Sequence, residues 1–224
     1  MSASSRALAA EFLGAAALLV AVVGSGIMAE RLSPDNAGVA LLANALVTGF
    51  ALYILITVFA PISGAHFNPV VTASECIARR MPPARGVAYA LAQWGGAIAG
   101  VWLAHLMFDL PILQSSQHSR TGVGQFVSEM VATSGLLVTI AGFSRHAPAQ
   151  LPAAVGAYIA AAYWFTASTS FANPAVTTAR ALTDTFAGIS PSHVGAFILA
   201  QAAGLGLAIP TIRVLFHTPG PPPQ

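Results

Sequence analysis

The sequence predicts an all-α membrane protein with six transmembrane helices and two re-entrant half-helices arranged as an inverted repeat. Three observations predict it. Hydrophobic residues make up 56% of the 224 and charged residues only 7%, against about 25% charged in soluble domains. The apolar runs have roughly the 20-residue length that crosses a bilayer. Two Asn-Pro tripeptides, Asn68-Pro69-Val70 and Asn173-Pro174-Ala175, sit in similar surroundings, one in each half of the chain.

The apolar runs place spans near 7–29, 38–60, 86–108, 124–144, 151–168 and 193–216. The first follows Arg6 as a signal peptide would, but it continues through Ala29 without a small-residue cleavage site, so it reads as an uncleaved span. The third begins after Pro82-Pro83, and Pro148 and Pro152 flank the start of the fifth. Segments 61–81 and 169–190 are too apolar for solvent loops and too short to cross. Each holds an Asn-Pro whose proline stands at the first helical position, where the missing N–H costs nothing. They read as half-helices dipping into the membrane, which is tolerated only where protein buries the irregular backbone or a cavity wets it. One transmembrane channel domain is expected over 1–216, with repeats at about 7–108 and 124–216. A disordered, proline-rich tail is expected over 217–224.

The halves repeat. Ala10-Glu11, Leu18-Leu19-Val20 and Gly24 recur at a constant offset as Ser128-Glu129, Leu136-Leu137-Val138 and Gly142; Leu91-Ala92-Gln93 and Gly96 recur as Leu199-Ala200-Gln201 and Gly204. Three spans per half is an odd number, so the second copy is inverted, an arrangement that puts broken helices together near the midplane. Arg6, Arg79, Arg80, Arg85, Arg145 and Arg213 fall on one side and Arg31, Arg120 and Arg180 on the other. That bias predicts both termini in the cytoplasm. The nine arginines are scattered between spans, with no nucleic-acid footprint. Cys76 stands alone, which excludes an internal disulfide. No cofactor and no metal are expected. No nucleophile and base fall at related depths, so the chain is not read as an enzyme. Gly14, Gly96, Gly100, Gly204 and Gly206 are expected to let helices approach closely.

The Ser-Gly-x-His-Phe-Asn-Pro segment at 63–69, the second Asn-Pro-Ala at 173–175, and the paired Glu11/Glu129 and Gln93/Gln201 resemble the aquaporin (major intrinsic protein) family over about residues 7–216. The resemblance implies a six-helix bundle with a pore in each subunit, a homotetramer, and passive conduction of water or small uncharged solutes. The two half-helices would then meet end to end, each bringing about half a positive charge at its N-terminus. Asn68 and Asn173 would cap those helices with their side-chain oxygens and turn amide N–H groups to the pore. Dipoles so placed exclude protons and cations. Glu11 and Glu129, carboxylates inside the membrane, are implied to accept backbone N–H groups of the re-entrant loops, with a proton relay as the alternative. His66 is read as a loop-fixing hydrogen-bonder before a pH gate, and Glu75 as a residue of the cytoplasmic mouth. Val70 replaces the usual alanine of the first motif and adds two methyls at the waist.

The chain also departs from the family. Most relatives follow the second Asn-Pro-Ala with an arginine that forms the outer selectivity filter; here that place is Val176, and Arg180 lies one turn further on. The other filter positions fall on Thr48, on Ser170, and on either Ala161 by equal spacing or Tyr163 if the loop is shorter, the second choice also aligning Gly156. Thr48, Tyr163, Ser170 and Val176 describe a broad, uncharged filter, since the absent guanidinium would have brought a fixed charge and several donors. It is expected to pass glycerol-like polyols and to oppose cations weakly, and it resembles the arginine-free filters of bacterial relatives associated with neutral metalloid hydroxides such as arsenite. The competing readings are an ion-coupled secondary transporter and a structural membrane protein with an occluded pore.

Overall fold

A computed structural model describes residues 2–216; the tail expected over 217–224 lies outside the described residues. Eight α-helices follow in order: α1 (Ala3–Leu32), α2 (Ala37–Ser63), α3 (Pro69–Ile77), α4 (Pro83–Met107), α5 (Val123–His146), α6 (Leu151–Phe165), α7 (Pro174–Arg180) and α8 (Pro191–Phe216). Local chemistry sets their ends. Ser2 and Asn36 cap α1 and α2 by accepting from the Ser5 and Val39 N–H groups, which satisfies donors a helix start leaves open. Gly64 ends α2 in the left-handed region, at φ 91°, where a residue without a Cβ carries no penalty. Pro69 and Pro174 open α3 and α7.

Five of these helices, α1, α2, α4, α5 and α8, are long and apolar enough to cross a membrane. The fifth span, expected over 151–168, is shorter: α6 has 15 residues and is entered through a 3-10 turn at Pro148–Gln150. Thr166 stops it. Its backbone is extended, and its hydroxyl donates to the Ala162 carbonyl at 2.6 Å.

Packing repeats between the halves. α1 packs along α4 and along α2, and α5 along α8; α2 against α6 then joins the halves. Glycines permit this closeness at specific points. A Cβ on Gly96 or Gly100 would strike the Phe12 or Ala16 carbonyl of α1, and one on Gly204 would strike the Met130 carbonyl of α5. Gly49 and Gly156 do the same for each other where α2 crosses α6, and Gly14 makes room for the Phe67 ring. Gly206 corrects the expectation, since a Cβ there meets nothing within 4 Å. Two positions beyond Gly204 is more than half a turn of helix, which carries it off the packed face. Gly100→Val is therefore expected to push α4 off α1 at a cost of about 1–3 kcal/mol, whereas Gly206→Val changes stability by less than about 0.5 kcal/mol. Thermal unfolding in detergent compares the two.

The half-helices α3 and α7 start beside each other and run toward opposite ends. The end of α3 shares a vestibule with Arg145 at the end of α5 and with Arg213. The end of α7 is bonded instead to the connection that precedes α5, through Ser116 and Ala181.

Candidate functional site

Each half-helix begins at an asparagine that performs two tasks. The Asn68 side-chain oxygen accepts from the Val70 N–H at 2.9 Å, and that of Asn173 accepts from Ala175 at 3.0 Å and Val176 at 3.2 Å. The amide nitrogens reach across. Asn68 Nδ2 donates to the Ala172 carbonyl at 2.8 Å and Asn173 Nδ2 to the Phe67 carbonyl at 2.9 Å. One N–H of each amide is thus spent on the opposite loop, leaving one for the lumen. Sequence reasoning found the caps but not these reciprocal ties.

Behind each loop stands a buried carboxylate. Glu11 accepts from the His66 and Phe67 N–H groups at 3.0 and 2.8 Å, from Ser63 Oγ at 2.6 Å and from Gln93 Nε2 at 2.7 Å. Glu129 accepts from the Phe171 and Ala172 N–H groups at 2.8 and 2.9 Å and from Gln201 Nε2 at 2.6 Å. Both are fully buried, and this full set of donors is what makes a buried charge tolerable. Gln93 and Gln201 also donate to Thr72 and Thr177. The two threonines escaped the sequence analysis, although each lies at the same distance after its asparagine and so carried the repeat signal.

The loops these groups hold are irregular. Ala65 and Phe67 in the first, and Thr169, Ser170 and Ala172 in the second, have φ between 45° and 60°. Gly64, Ala65 and His66 line a cavity of about 250 Å³, and no protein donor among the described residues bonds their carbonyls. Those oxygens are left as acceptors on one side of the lumen. The facing wall is apolar, with Leu18, Leu52, Leu136 and Ile159. Asn68 and Asn173 both border the cavity. His66 lies in its wall and bonds Thr72 Oγ1 through Nδ1 at 3.0 Å. Glu75, also in the wall, holds Arg80 through two contacts of 2.6 Å. The bond raises the pKa of Arg80, in the turn after α3.

Capped half-helices tied to each other across a lumen, in a duplicated bundle, narrow the comparison to one group of proteins. The family model described as "Major intrinsic protein" matches residues 1–170. The chain belongs to the major intrinsic protein family. It is 50% identical to aquaglyceroporin AqpS of Rhizobium meliloti (strain 1021), over 95% of this chain and 91% of that one. It is 35% identical to the probable aquaporin TIP2-2 of Oryza sativa subsp. japonica, over 62% of this chain and 57% of the relative. In structure it is similar to the aquaglyceroporin from Plasmodium falciparum, with a TM-score of 0.71 at 19% identity, covering 94% of this chain and 99% of the other. As a family member the chain is a multi-pass membrane protein and a passive channel for water and small neutral solutes, not an enzyme.

At one end of the lumen, Thr48 of α2 and Tyr163 of α6 meet at 3.2 Å between hydroxyls, and both border the cavity with Val176. Ala161 points away from the interior and is exposed. Ser170 is buried but does not border the cavity; Phe171 does. Counting back from Asn173 assumes a regular alternation of side chains, and the left-handed Thr169, Ser170 and Ala172 break it. Val70 is likewise absent from the wall, which Val71 occupies instead; Val70 packs with Leu137 and Ala208. Its extra methyls therefore fill the bundle and leave the waist unaltered. Arg180 is buried under the loop that follows α7, donating from Nε to the Ala187 carbonyl.

Proposed function

We propose that this channel conducts water, glycerol-sized polyols and neutral metalloid hydroxides such as arsenite through a wide filter without arginine. The observation that carries the reading is Val176 in the lumen wall beside Thr48 and Tyr163. Two hydroxyls and a row of carbonyls offer partners to a molecule bearing several OH groups, and the apolar face accepts its carbon side. Phe171 completes the filter, and Ser170 stands behind it. The half-identical relative that bears the name aquaglyceroporin supports the solute class.

The lumen runs between opposed half-helix N-termini at Asn68-Pro69-Val70 and Asn173-Pro174-Ala175, with Glu11, Glu129 and His66 fixing the loops. The protein works as a homotetramer in a bacterial inner membrane, with both termini in the cytoplasm. The arginine bias supports that orientation, and the bacterial relative supports the location.

Proteoliposome swelling tests the proposal. Glycerol and arsenite are expected to enter without saturation, driven by their own gradients and unaffected when ion gradients are collapsed. Uptake that requires an ion gradient would establish a coupled transporter instead, and an absence of flux would establish an occluded pore.

A further inference from the structure

Two guanidiniums lie behind the filter wall with no salt-bridge partner among the described residues. Arg180 is 2% exposed, and its guanidinium carbon stands 3.4 Å from the centroid of the Phe171 ring. Arg120 approaches the same ring at 5.2 Å. Their hydrogen-bond acceptors are neutral: the Ala187 carbonyl for Arg180; the Gly188 and Phe186 carbonyls and the Thr169 hydroxyl for Arg120. Among the described residues the single salt bridge is Glu75–Arg80, on α3 and the turn after it. The carboxylate within electrostatic reach of both is Glu129, which is hydrogen-bonded to the loop N–H groups and to neither guanidinium, so its single charge offsets one of the two. Carbonyls satisfy donors but leave net charge in place, and a buried charge without a partner is costly.

The lumen has the complementary deficiency. Its wall at this end offers the Thr48 and Tyr163 hydroxyls and no positive side chain, so nothing in the lining itself repels cations. The half-helix N-termini contribute only partial charges, whose influence fades within a turn. Phe171 belongs to the cavity wall and its ring is in contact with Arg180, which does not itself border the cavity, so the charge stands about one side chain from the solute path.

We propose that Arg120 and Arg180 supply the cation barrier of this channel from behind the wall, acting through the field rather than by contact, where Val176 leaves the lumen wide and uncharged. The inference rests on the channel reading above. The field of the two arginines adds to the barrier of the half-helix dipoles, which the arginine-free filter is expected to leave weak. At a separation on the order of 8 Å and an effective dielectric constant of about 20, one unit charge disfavours a monovalent cation by roughly 30-fold. Size selection and charge selection are thereby carried by different residues: a guanidinium in the lumen would narrow it, and one behind Phe171 does not.

The test measures potassium permeability and glycerol flux in the same proteoliposomes. Wild type is expected to pass glycerol and hold a potassium gradient. Arg180→Gln, which keeps a donor but not the charge, is expected to raise potassium permeability about tenfold or more with glycerol flux retained, and Arg180→Lys is expected to stay tight. A wild-type protein that conducts glycerol and leaks potassium would overturn the inference. So would an Arg180→Gln channel that stays tight, or an Arg180→Lys channel that leaks as much, the result of a purely structural staple. Should Arg180→Gln fail to assemble, Arg120→Gln is read by the same criteria alongside the wild-type measurement. Absence of glycerol flux in wild type would sink the channel reading instead, so the two failures are distinguishable.

Discussion

Glu129→Leu is expected to abolish the assembled channel. The substitution leaves the Phe171 and Ala172 N–H groups and the Gln201 amide without their acceptor, in an interior that water does not reach. Each stranded donor costs about 1–3 kcal/mol, and breaking a buried charged network costs about 3–5 kcal/mol. The loss is comparable with the whole stability of many domains. Glu129→Gln removes the charge and keeps the shape, but its NH2 group must face donors, so about 3 kcal/mol is still expected to go. Glycerol flux per reconstituted protein and the midpoint of thermal unfolding in detergent both report the effect. Near-wild-type values for Glu129→Leu would mean that the second loop holds its shape without the carboxylate. Glu11 has a fourth donor in Ser63, so Glu11→Leu is expected to be at least as damaging.

Val176→Arg carries the next largest effect. A long guanidinium side chain at Val176 must project into a cavity of about 250 Å³ whose wall there is Thr48, Tyr163 and Phe171. It narrows the passage, brings several donors, and adds a third positive charge near Arg120 and Arg180. Glycerol flux is expected to fall about tenfold or more, equivalent to at least ~1.4 kcal/mol in the barrier, while water, needing less width, keeps most of its permeability. Stopped-flow light scattering on one vesicle preparation gives both rates. Unchanged glycerol flux would refute the account of Val176 as part of a width-setting filter.

Repetition made much of this molecule readable beforehand. Glu11 and Glu129 have no local motif to mark them; their matched offset did so, because two copies of one bundle half place equal residues at equal depth. The same logic would have revealed Thr72 and Thr177, which the glutamines engage. Reading failed where the backbone leaves regular geometry. Counting back from Asn173 puts Ser170 in the wall, but Phe171 stands there, since the left-handed Ser170 and Ala172 on either side of it redirect the side chains. Arg180 could be placed one turn along α7, but not beneath the returning loop, whose Ala187 carbonyl captures it only after the chain doubles back. Val70 and Gly206 failed for a simpler reason: which side of a helix faces a neighbour depends on where that neighbour crosses.

The paired bonds from Asn68 to Ala172 and from Asn173 to Phe67 also impose an order on biosynthesis. When the first half of the chain has left the ribosome, its waist still lacks both the acceptor for one amide and the donor for one carbonyl. Neither can be supplied until about a hundred further residues have been made and threaded back between helices already in the bilayer. The junction of the two half-helices therefore closes only after the second has been inserted, and until then a nascent half-protein carries an open polar seam.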